Sequence, residues 1–486
     1  MRSQSKIFVR RVEGFMQPNG VCVTMGTSCA EAIARMTGEN QPCCIVVDGY
    51  GKVAGIVRTK DIVEKILFKV GPDTLIEEVM DDKALTIREG EYLYHAIARM
   101  RRRKVEDIIV VDCARHPLGI LQYREAIENG ASRLIQHIDL LGGEGNLDSL
   151  RGVKAAQVEI ARDLFDDDVS CEYTQRLLSH VNNDIVARIV SGNLTHMEAE
   201  GWGTPPVDFC VIVMGSGGRG ENYLYPDQDN GFILEDYPDE DHNRVDHYFR
   251  ELAVRMCDDL DKVGIPYCKG HVMASNPLWR KTLSQWGDQV RLWGRKRNAT
   301  ALRLADIFFD FQPVWGKREL AYDLRHTVLR MVRENHFFLQ EMYRAQADHT
   351  VALGLFGRLS YEREGGNGHK KIDLKYRGTL PLVEAVRLLS LRQGVEKTST
   401  QERIIELHHA GVLSDSEADY LGSALSFLTY LLLYRQVMDY CDALPASRFV
   451  RLKDLTRRER ENLHNALRHI DALRARLKAE FTGDVF

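Results

Sequence analysis

A pentapeptide that returns letter for letter constrains this chain more than any other feature. Ala32-Ile33-Ala34-Arg35-Met36 recurs as Ala96-Ile97-Ala98-Arg99-Met100, an offset of 64 residues. The same offset lays Ile45-Val46-Val47-Asp48 on Ile109-Val110-Val111-Asp112, Gly55-Ile56 on Gly119-Ile120, and Asp61 on Glu125. Matches in one ungapped register mark an internal duplication. Each copy reads helix, strand, turn, strand, helix. The Ala-Ile-Ala-Arg-Met stretch is amphipathic at helical spacing, and Ile-Val-Val is a β-branched run ending in a turn-forming Asp. In the first copy Asp48-Gly49-Tyr50-Gly51 supplies the turn and residues 53–57 the next strand. Asp61 then opens or caps a helix.

On these residues the segment 8–130 resembles a tandem pair of cystathionine-β-synthase (CBS) domains. The resemblance implies a pseudo-twofold module that often binds adenosine nucleotides such as AMP or ATP in the cleft between its repeats. CBS pairs frequently dimerise, so a homodimer is expected. In that family a Thr or Ser stands three positions beyond the Gly of Gly-Ile, and a ribose-contacting Asp six beyond. Here Asp61 holds the sixth position, Arg58 the third, and Thr59 is displaced by one, which makes Arg58, Thr59 and Asp61 the candidate CBS ligand residues. The second copy has Gln122 and Glu125 at the two positions. Helix capping is the alternative role for Asp61.

At 486 residues the chain accommodates about three domains of ~150 residues. A formal net charge of -5 gives no global attraction to nucleic acid or to anionic lipid, and neither is expected as a partner. Met1-Arg2-Ser3-Gln4 leads into no apolar stretch, so no signal peptide is expected. The most apolar segment, 421–433, is interrupted by Gly422, Ser423, Ser426 and Thr429 and reads as a buried helix, not a membrane span. Ten cysteines without a C-x-x-C pair fit a reducing cytoplasm, the expected location, and argue against a zinc ribbon. Residues 131–200 read as a helical connector with a loop at Gly142-Gly143-Glu144-Gly145, and Asp166-Asp167-Asp168 reads as a loop. A domain boundary is expected at 201–206.

The chemistry lies just beyond. Residues 209–214 form a continuous apolar run, a buried strand, ending in Gly215-Ser216. Ten residues later comes Asp227-Gln228-Asp229, and 230–234 read as a second strand. Gly215, Gly217 and Gly220 satisfy G-x-G-x-x-G, with Glu235 or Asp236 downstream. A dinucleotide loop, however, must open a long helix, and Pro226 leaves room for only one or two turns. No Gly-Lys-Ser/Thr is present, which excludes a Walker loop. In a strand, Asp227 and Asp229 leave from one face, and carboxylates that close repel unless cations sit between them. Hard oxygen ligands suit Mg²⁺ or Mn²⁺, and paired metals clamp the oxygens of an in-line phosphoryl displacement. The Gly215-Ser216 turn offers backbone N–H groups and a hydroxyl to a triphosphate. Arg219 is placed for a phosphate, with a salt bridge to Glu221 as its plain alternative.

The spacing resembles that of the DNA-polymerase-β-type nucleotidyltransferases, and that resemblance implies a third carboxylate from a separate strand. The aromatic and β-branched segment 306–314 reads as a strand, with Asp310 between Phe309 and Phe311 as third metal ligand and candidate general base. Asp306, on the same face, is the fallback. Residues 244–263 read as a helix and 265–274 as a strand.

The spacing Gly-Ser, ten residues, Asp-x-Asp is that of the DNA-polymerase-β-type nucleotidyltransferases. The runs Gly215-Ser-Gly-Gly-Arg-Gly-Glu221 and Asp227-Gln-Asp-Asn230 closely resemble the bacterial nucleotidyltransferases related to the N-terminal part of protein-PII uridylyltransferase, commonly fused to CBS pairs. The likeness continues through Asn276-Pro277, Trp279-Arg280, Trp286 and the stretch from Asp310 to Gly316. It departs at Gln312, where the family has Arg, and at Lys317, where it has an acid. Beyond 325 the chain is similar to the family's helical substrate-binding domain at Leu355-Phe-Gly357, Ile372-Asp373-Leu374-Lys375, Gly378, Pro381, Arg387 and Thr400-Gln-Glu-Arg403. Asp373 and Lys375 either pair with each other or contact substrate.

The expectation is an α+β multidomain chain. It comprises a CBS pair (8–130), a helical connector (131–200), a mixed-sheet nucleotidyltransferase domain (201–324) and a C-terminal helical bundle (325–486). Its expected activity is metal-dependent transfer of a nucleotidyl group from a nucleoside triphosphate to a hydroxyl on a regulatory protein. A catalytically idle nucleotide sensor and a small-molecule adenylyltransferase are the alternatives.

Overall fold

A computed structural model describes residues 11–18, 20–39, 41–66, 69–123, 146–166, 169–295, 299–346, 349–363 and 368–482. Glu125, the Gly142–Gly145 loop, Asp167 and Asp168 lie outside the described residues. The chain divides into two compact units, Met1–Ser149 and Leu150–Phe486.

The first unit contains β1 (Gln17–Pro18), β2 (Val21–Thr24), α1 (Cys29–Gly38), β3 (Cys43–Val47), β4 (Val53–Arg58), α2 (Thr59–Asp61), β5 (Thr86–Arg88), α3 (Leu93–Arg103), β6 (Asp107–Val111) and β7 (Pro117–Gln122). The duplication is visible in the hydrogen-bond register. β2 runs parallel to β3 and β3 antiparallel to β4, with Cys43 opposite Arg58 and Val46 opposite Gly55. Residues 64 further on, β5, β6 and β7 repeat these pairings, Asp107 opposite Gln122 and Val110 opposite Gly119. Both copies carry a register shift at the corresponding position, between Val46 and Val47 and between Val110 and Val111. Strand alternation divides the core. Cys44 and Val46 pack on Ala32 and Met36 of α1. Cys43 and Ile45 pack with Ile109, Val111 and Ile120 of the other repeat.

The second unit begins three residues into α4 (Leu147–Asp166) and continues with α5 (Cys171–Ala199). Then come β8 (Phe209–Val213), α6 (Gly215–Arg219), β9 (Asn230–Leu234), α7 (His242–Val263), β10 (Arg280–Thr282), α8 (Leu283–Arg295), α9 (Ala299–Phe308) and β11 (Gln312–Gly316). The four strands form a mixed sheet in the order β10-β9-β8-β11, in which only β10 and β9 are parallel. On one side Phe249 of α7 meets Phe209 of β8, ring centroids 4.9 Å apart. On the other, Trp279, Trp286, Trp293 and Phe308 form an aromatic cluster, with Trp286 stacked on Phe308 at 4.8 Å.

The chain continues as α10 (Arg318–Glu334), α11 (His336–Ala345), β12 (Glu362–Arg363), β13 (Lys370–Asp373), α12 (Leu380–Gln393), α13 (Thr400–His409), α14 (Asp415–Cys441), β14 (Phe449–Arg451) and α15 (Arg457–Thr482). One hydrophobic core runs without a break from Cys210 to Phe481. The connector belongs to this unit too, since Val158, Ala161 and Leu178 pack with Leu224 and Leu433. The part of the connector from Leu150 on therefore lies in the same compact unit as the segments that follow it.

Two element expectations need correction. Residues 306–314 are not a strand: Asp306 lies in α9, Asp310 in the turn after it, and β11 begins at Gln312. Residues 265–274 contain no strand. Their backbone instead satisfies side chains of the neighbouring site, as described below. No helix of the described residues is long and apolar enough to cross a membrane.

Candidate active site

The pairing of β8 with β9 brings the Gly-Ser turn to the carboxylates. Val213, the last residue of β8, lies opposite Asn230, the first of β9. The Met214 N–H donates to the Asp229 carbonyl at 2.8 Å. The chain between them thus leaves and rejoins the sheet at one end. Gly215 takes a left-handed φ of 55°, and a Cβ there would stand 2.9 Å from Asp229 Oδ2. Only glycine lets the turn close against that carboxylate. α6 is five residues long and ends at Gly220, so no long helix follows the glycines and the dinucleotide reading is excluded.

Asp227 and Asp229 lie in the extended lead-in to β9. Asp227 is exposed and Asp229 half-buried, whereas Gln228 and Asn230 are buried, so the two carboxylates emerge on one side. The amides between them act as clamps. Gln228 Nε2 donates to the carbonyls of Cys257 and Ile265, both at 2.9 Å, and Asn230 Oδ1 accepts from the Ala274 N–H at 2.9 Å. Burial pushes the Asp229 carboxyl up to about 7; a hydrogen bond from Cys268 opposes this and the charge of Asp227 adds to it. A carboxylate so disfavoured in its charged form is the condition a cation relieves.

Asp310 is placed otherwise. It is fully buried, and three guanidiniums converge on it. Arg219 Nη1 and Arg387 Nη2 each reach Oδ2 at 2.7 Å, and Arg403 Nη1 reaches Oδ1 at 2.7 Å. Burial alone raises its pKa, but Arg387, Arg403 and Arg219 outweigh that and hold it well below the usual carboxylate range. Among the described residues no group of three or more His, Cys, Asp or Glu side chains gathers to hold a metal. The third expected ligand, Asp310, is thus not gathered with Asp227 and Asp229 in this structure. Buried arginines compete for the Asp310 charge, Arg219 and Arg387 at Oδ2 and Arg403 at Oδ1. Asp306, the fallback, pairs with Arg387 and accepts from Gln346 at 2.7 Å.

The phosphate candidates are drawn into the same network. Arg219 Nε donates to Glu221 at 2.6 Å, and Glu221 also accepts from the Thr400 N–H at 2.7 Å. Arg219 is thus nearly buried between two carboxylates, and its pairing with Glu221 is no surface salt bridge. Ser216 Oγ contacts Asn222 Oδ1 at 3.0 Å. Gly218 admits the turn carrying Asp310, because a Cβ there would fall 1.7 Å from the Asp310 carbonyl oxygen. Gln312, where the resemblance has arginine, donates to Thr398 Oγ1 at 2.8 Å, and Thr398 in turn donates to the Gly218 carbonyl at 2.8 Å. Lys317, where it has an acid, bridges Asp208 and Glu235 at 2.9 and 3.1 Å. Asp373 pairs with Arg448 at 2.7 Å, not with Lys375.

Sequence reasoning missed the braces on the loop between Glu221 and Asp227. Lys154 of α4 is buried and donates to Gln157, Asn182 and the Leu224 carbonyl at 2.7, 3.1 and 2.9 Å. Burial pulls its pKa down to about 7. From α5, Gln175 donates to the Glu221 carbonyl at 3.1 Å, and Ser179 accepts from the Asn222 N–H at 2.9 Å. Buried polar residues within amphipathic helices were the only signal available.

In the CBS unit, the Asp61 carboxylate accepts from the Arg58 N–H at 3.0 Å and pairs with Lys65 at 3.0 Å, and Thr59 donates to the Pro42 carbonyl at 2.9 Å. Arg58 meets Asp81 at 3.0 Å and Asp107 of the second repeat at 3.4 Å. All three candidate residues lie together, and Asp61 caps α2.

A strand, a Gly-Ser turn, a short helix and an Asp-x-Asp at the head of the next strand define the nucleotidyltransferase class. Residues 155–300 match the family described as Putative nucleotidyltransferase DUF294, residues 336–481 match Putative nucleotidyltransferase substrate binding domain, and residues 9–68 and 76–131 match the CBS domain. The chain belongs to this family of CBS-domain-containing nucleotidyltransferases. Among curated proteins it is 29% identical over 101 residues to uncharacterized protein MJ1404 of Methanocaldococcus jannaschii, covering 21% of this chain and 24% of that one. It is 30% identical over 110 residues to homoserine O-acetyltransferase of Methanocorpusculum labreanum, covering 23% and 22%. The chain thus spans about a quarter of the length of these relatives. Among solved structures, the CBS domains of a transcriptional regulator from Streptococcus pneumoniae align over 25% of this chain and 98% of theirs, at 20% identity and a TM-score of 0.22. The CBS pair of protein MJ0100, in complex with 5′-methylthioadenosine and S-adenosyl-L-methionine, aligns over 26% and 96%, at 24% identity and a TM-score of 0.23.

Proposed function

We propose that the chain transfers a nucleotidyl group from a nucleoside triphosphate to a hydroxyl on a regulatory protein, and that a divalent cation at Asp227 and Asp229 supports the step. The observation that carries this reading is the contact of the Gly215 turn with the Asp229 carboxylate. It sets a Cβ-free stretch of backbone beside the Asp229 carboxylate. The donor set fits Mg²⁺ or Mn²⁺ as two hard oxygens, with water and phosphate completing the shell. When bound, such a cation neutralises charge developing on the phosphoryl oxygens. The chain's own residues do the rest. Gly215 and Ser216 offer backbone N–H groups and a hydroxyl to the triphosphate. Gln228 and Asn230 hold the two acids in register. Arg219, kept in place by Glu221 and Asp310, positions the glycine turn. The acceptor's being a protein is supported by the likeness to protein-PII uridylyltransferase. An adenine nucleotide at the CBS pair, near Arg58, Thr59 and Asp61, would regulate the step.

Asp229→Ala is expected to keep the fold and lower pyrophosphate release from labelled triphosphates by about a thousandfold or more. Undiminished release would remove the assignment. One observation favours a second reading, an idle nucleotide sensor: Asp310 is paired with buried arginines, and among the described residues no third carboxylate joins the pair. Triphosphate binding without pyrophosphate release in the wild-type chain, supplied with cell lysate as the source of acceptor, would establish it.

A further inference from the structure

The small sheet β12-β13-β14 concentrates positive charge in a way that costs stability. Arg363 stands directly opposite Lys370, and Lys371 directly opposite Arg451. Like charges in cross-strand pairs are destabilising. Arg358, Arg363, Lys370, Lys375, Arg448 and Lys453 are all exposed. The nearby acid Asp373 is buried and committed to Arg448 and to the Tyr376 N–H. Within the paired strands the acids are Glu362, opposite Lys371, and the buried Asp373, and nearby Asp454 pairs with Arg435. This charge is local, because the chain as a whole carries -5.

Aromatic rings hold these cations in place. Lys370 lies 4.4 Å from the Tyr361 ring centroid, Lys371 4.4 Å from Phe449, and Arg448 4.7 Å from Tyr376. A cation seated on a ring is preorganised, but the ring face it covers is closed to a stacking base. The surface therefore offers fixed positive charge without a stacking platform, which suits carboxylates better than single-stranded nucleic acid. It also adjoins the candidate site. Lys375 follows β13 closely, and its charge acts on Asp229.

We propose that this sheet docks the acceptor, and that the acceptor is a polypeptide presenting a run of acidic side chains. The inference rests on the nucleotidyl-transfer reading above. Complementary charge would steer the acceptor to the sheet and fix its register beside the triphosphate.

The test uses the full chain and fluorescence anisotropy with a labelled polyglutamate peptide, a polyadenylate of equal charge as competitor, and 0.1 M-range salt. Lys370→Glu with Lys371→Glu is expected to weaken peptide binding about tenfold or more. Arg457→Glu with Arg458→Glu, at the exposed start of α15, is expected to change it less than about twofold. Circular dichroism establishes that each variant is folded. No peptide binding, equal losses in both variants, or tighter binding of polyadenylate would each overturn the proposal. Asp229→Ala should bind the peptide as wild type does. Peptide binding without any triphosphate turnover would therefore sink the transfer reading, whereas turnover without peptide binding would sink this one.

Discussion

Three guanidiniums share one carboxylate at Asp310, and that sharing decides what the residue does. Removing its charge strands Arg219, Arg387 and Arg403 in the interior. Asp310→Asn is therefore expected to lower unfolding free energy by about 3–5 kcal/mol in urea titrations. A metal ligand would behave differently, losing transfer at little cost in stability. Lys154 gives a pH signature. Its folded pKa is depressed from 10.5 to about 7, so between these values the unfolded chain binds more protons. Stability should rise with pH across that window, the penalty being full below about 7 and absent above about 10.5. Lys154→Met should flatten the slope, as urea midpoints at pH 7 and 9 would show. The acids Asp227 and Asp229 were legible in the sequence because their spacing is local. The arginines were not, since Arg387 stands 77 residues from Asp310 and no local pattern ties them together.

At the level of elements, the segment containing Asp306 and Asp310 shows why short aromatic runs mislead. Residues four apart share a face on a helix and on a strand alike, so periodicity does not decide between them. Tertiary packing decides here: Phe308 stacks into the tryptophan cluster, and Arg325 caps the following turn by donating to the carbonyls of Phe309 and Phe311. The 265–274 segment failed as a strand because its backbone groups serve Gln228 and Asn230. The CBS strands, by contrast, were fixed by the 64-residue offset, which the register reproduces pair by pair. The glycine turn yields a paired prediction. Gly218→Ala would drive a Cβ into the Asp310 carbonyl and should cost several kcal/mol, on the scale of severe overpacking. Gly220→Asn, at a left-handed φ of 71° with open space around it, should lie within about 1 kcal/mol of wild type. Thermal melts of the two variants separate close approach from mere conformational freedom.

For the whole molecule, the relevant division is between residues 149 and 150, not between a transferase domain and a helical one. A fragment comprising 146–486 should melt cooperatively by itself. A fragment ending at Glu334 should fail to fold, because it cuts through the core that runs from Cys210 to Phe481. Circular dichroism melts of the two fragments check this. AMP or ATP should raise the melting temperature of the first unit, and Asp61→Ala should abolish that rise. The arginine ring has one more consequence, in time. During synthesis Asp310 leaves the ribosome 77 residues ahead of Arg387, and Arg403 comes later still. At about 5–20 residues per second, the nascent chain spends several seconds with Asp310 made and, of its three arginines, only Arg219 translated. The charge balance of this buried network is therefore completed only once α12 and α13 have been made.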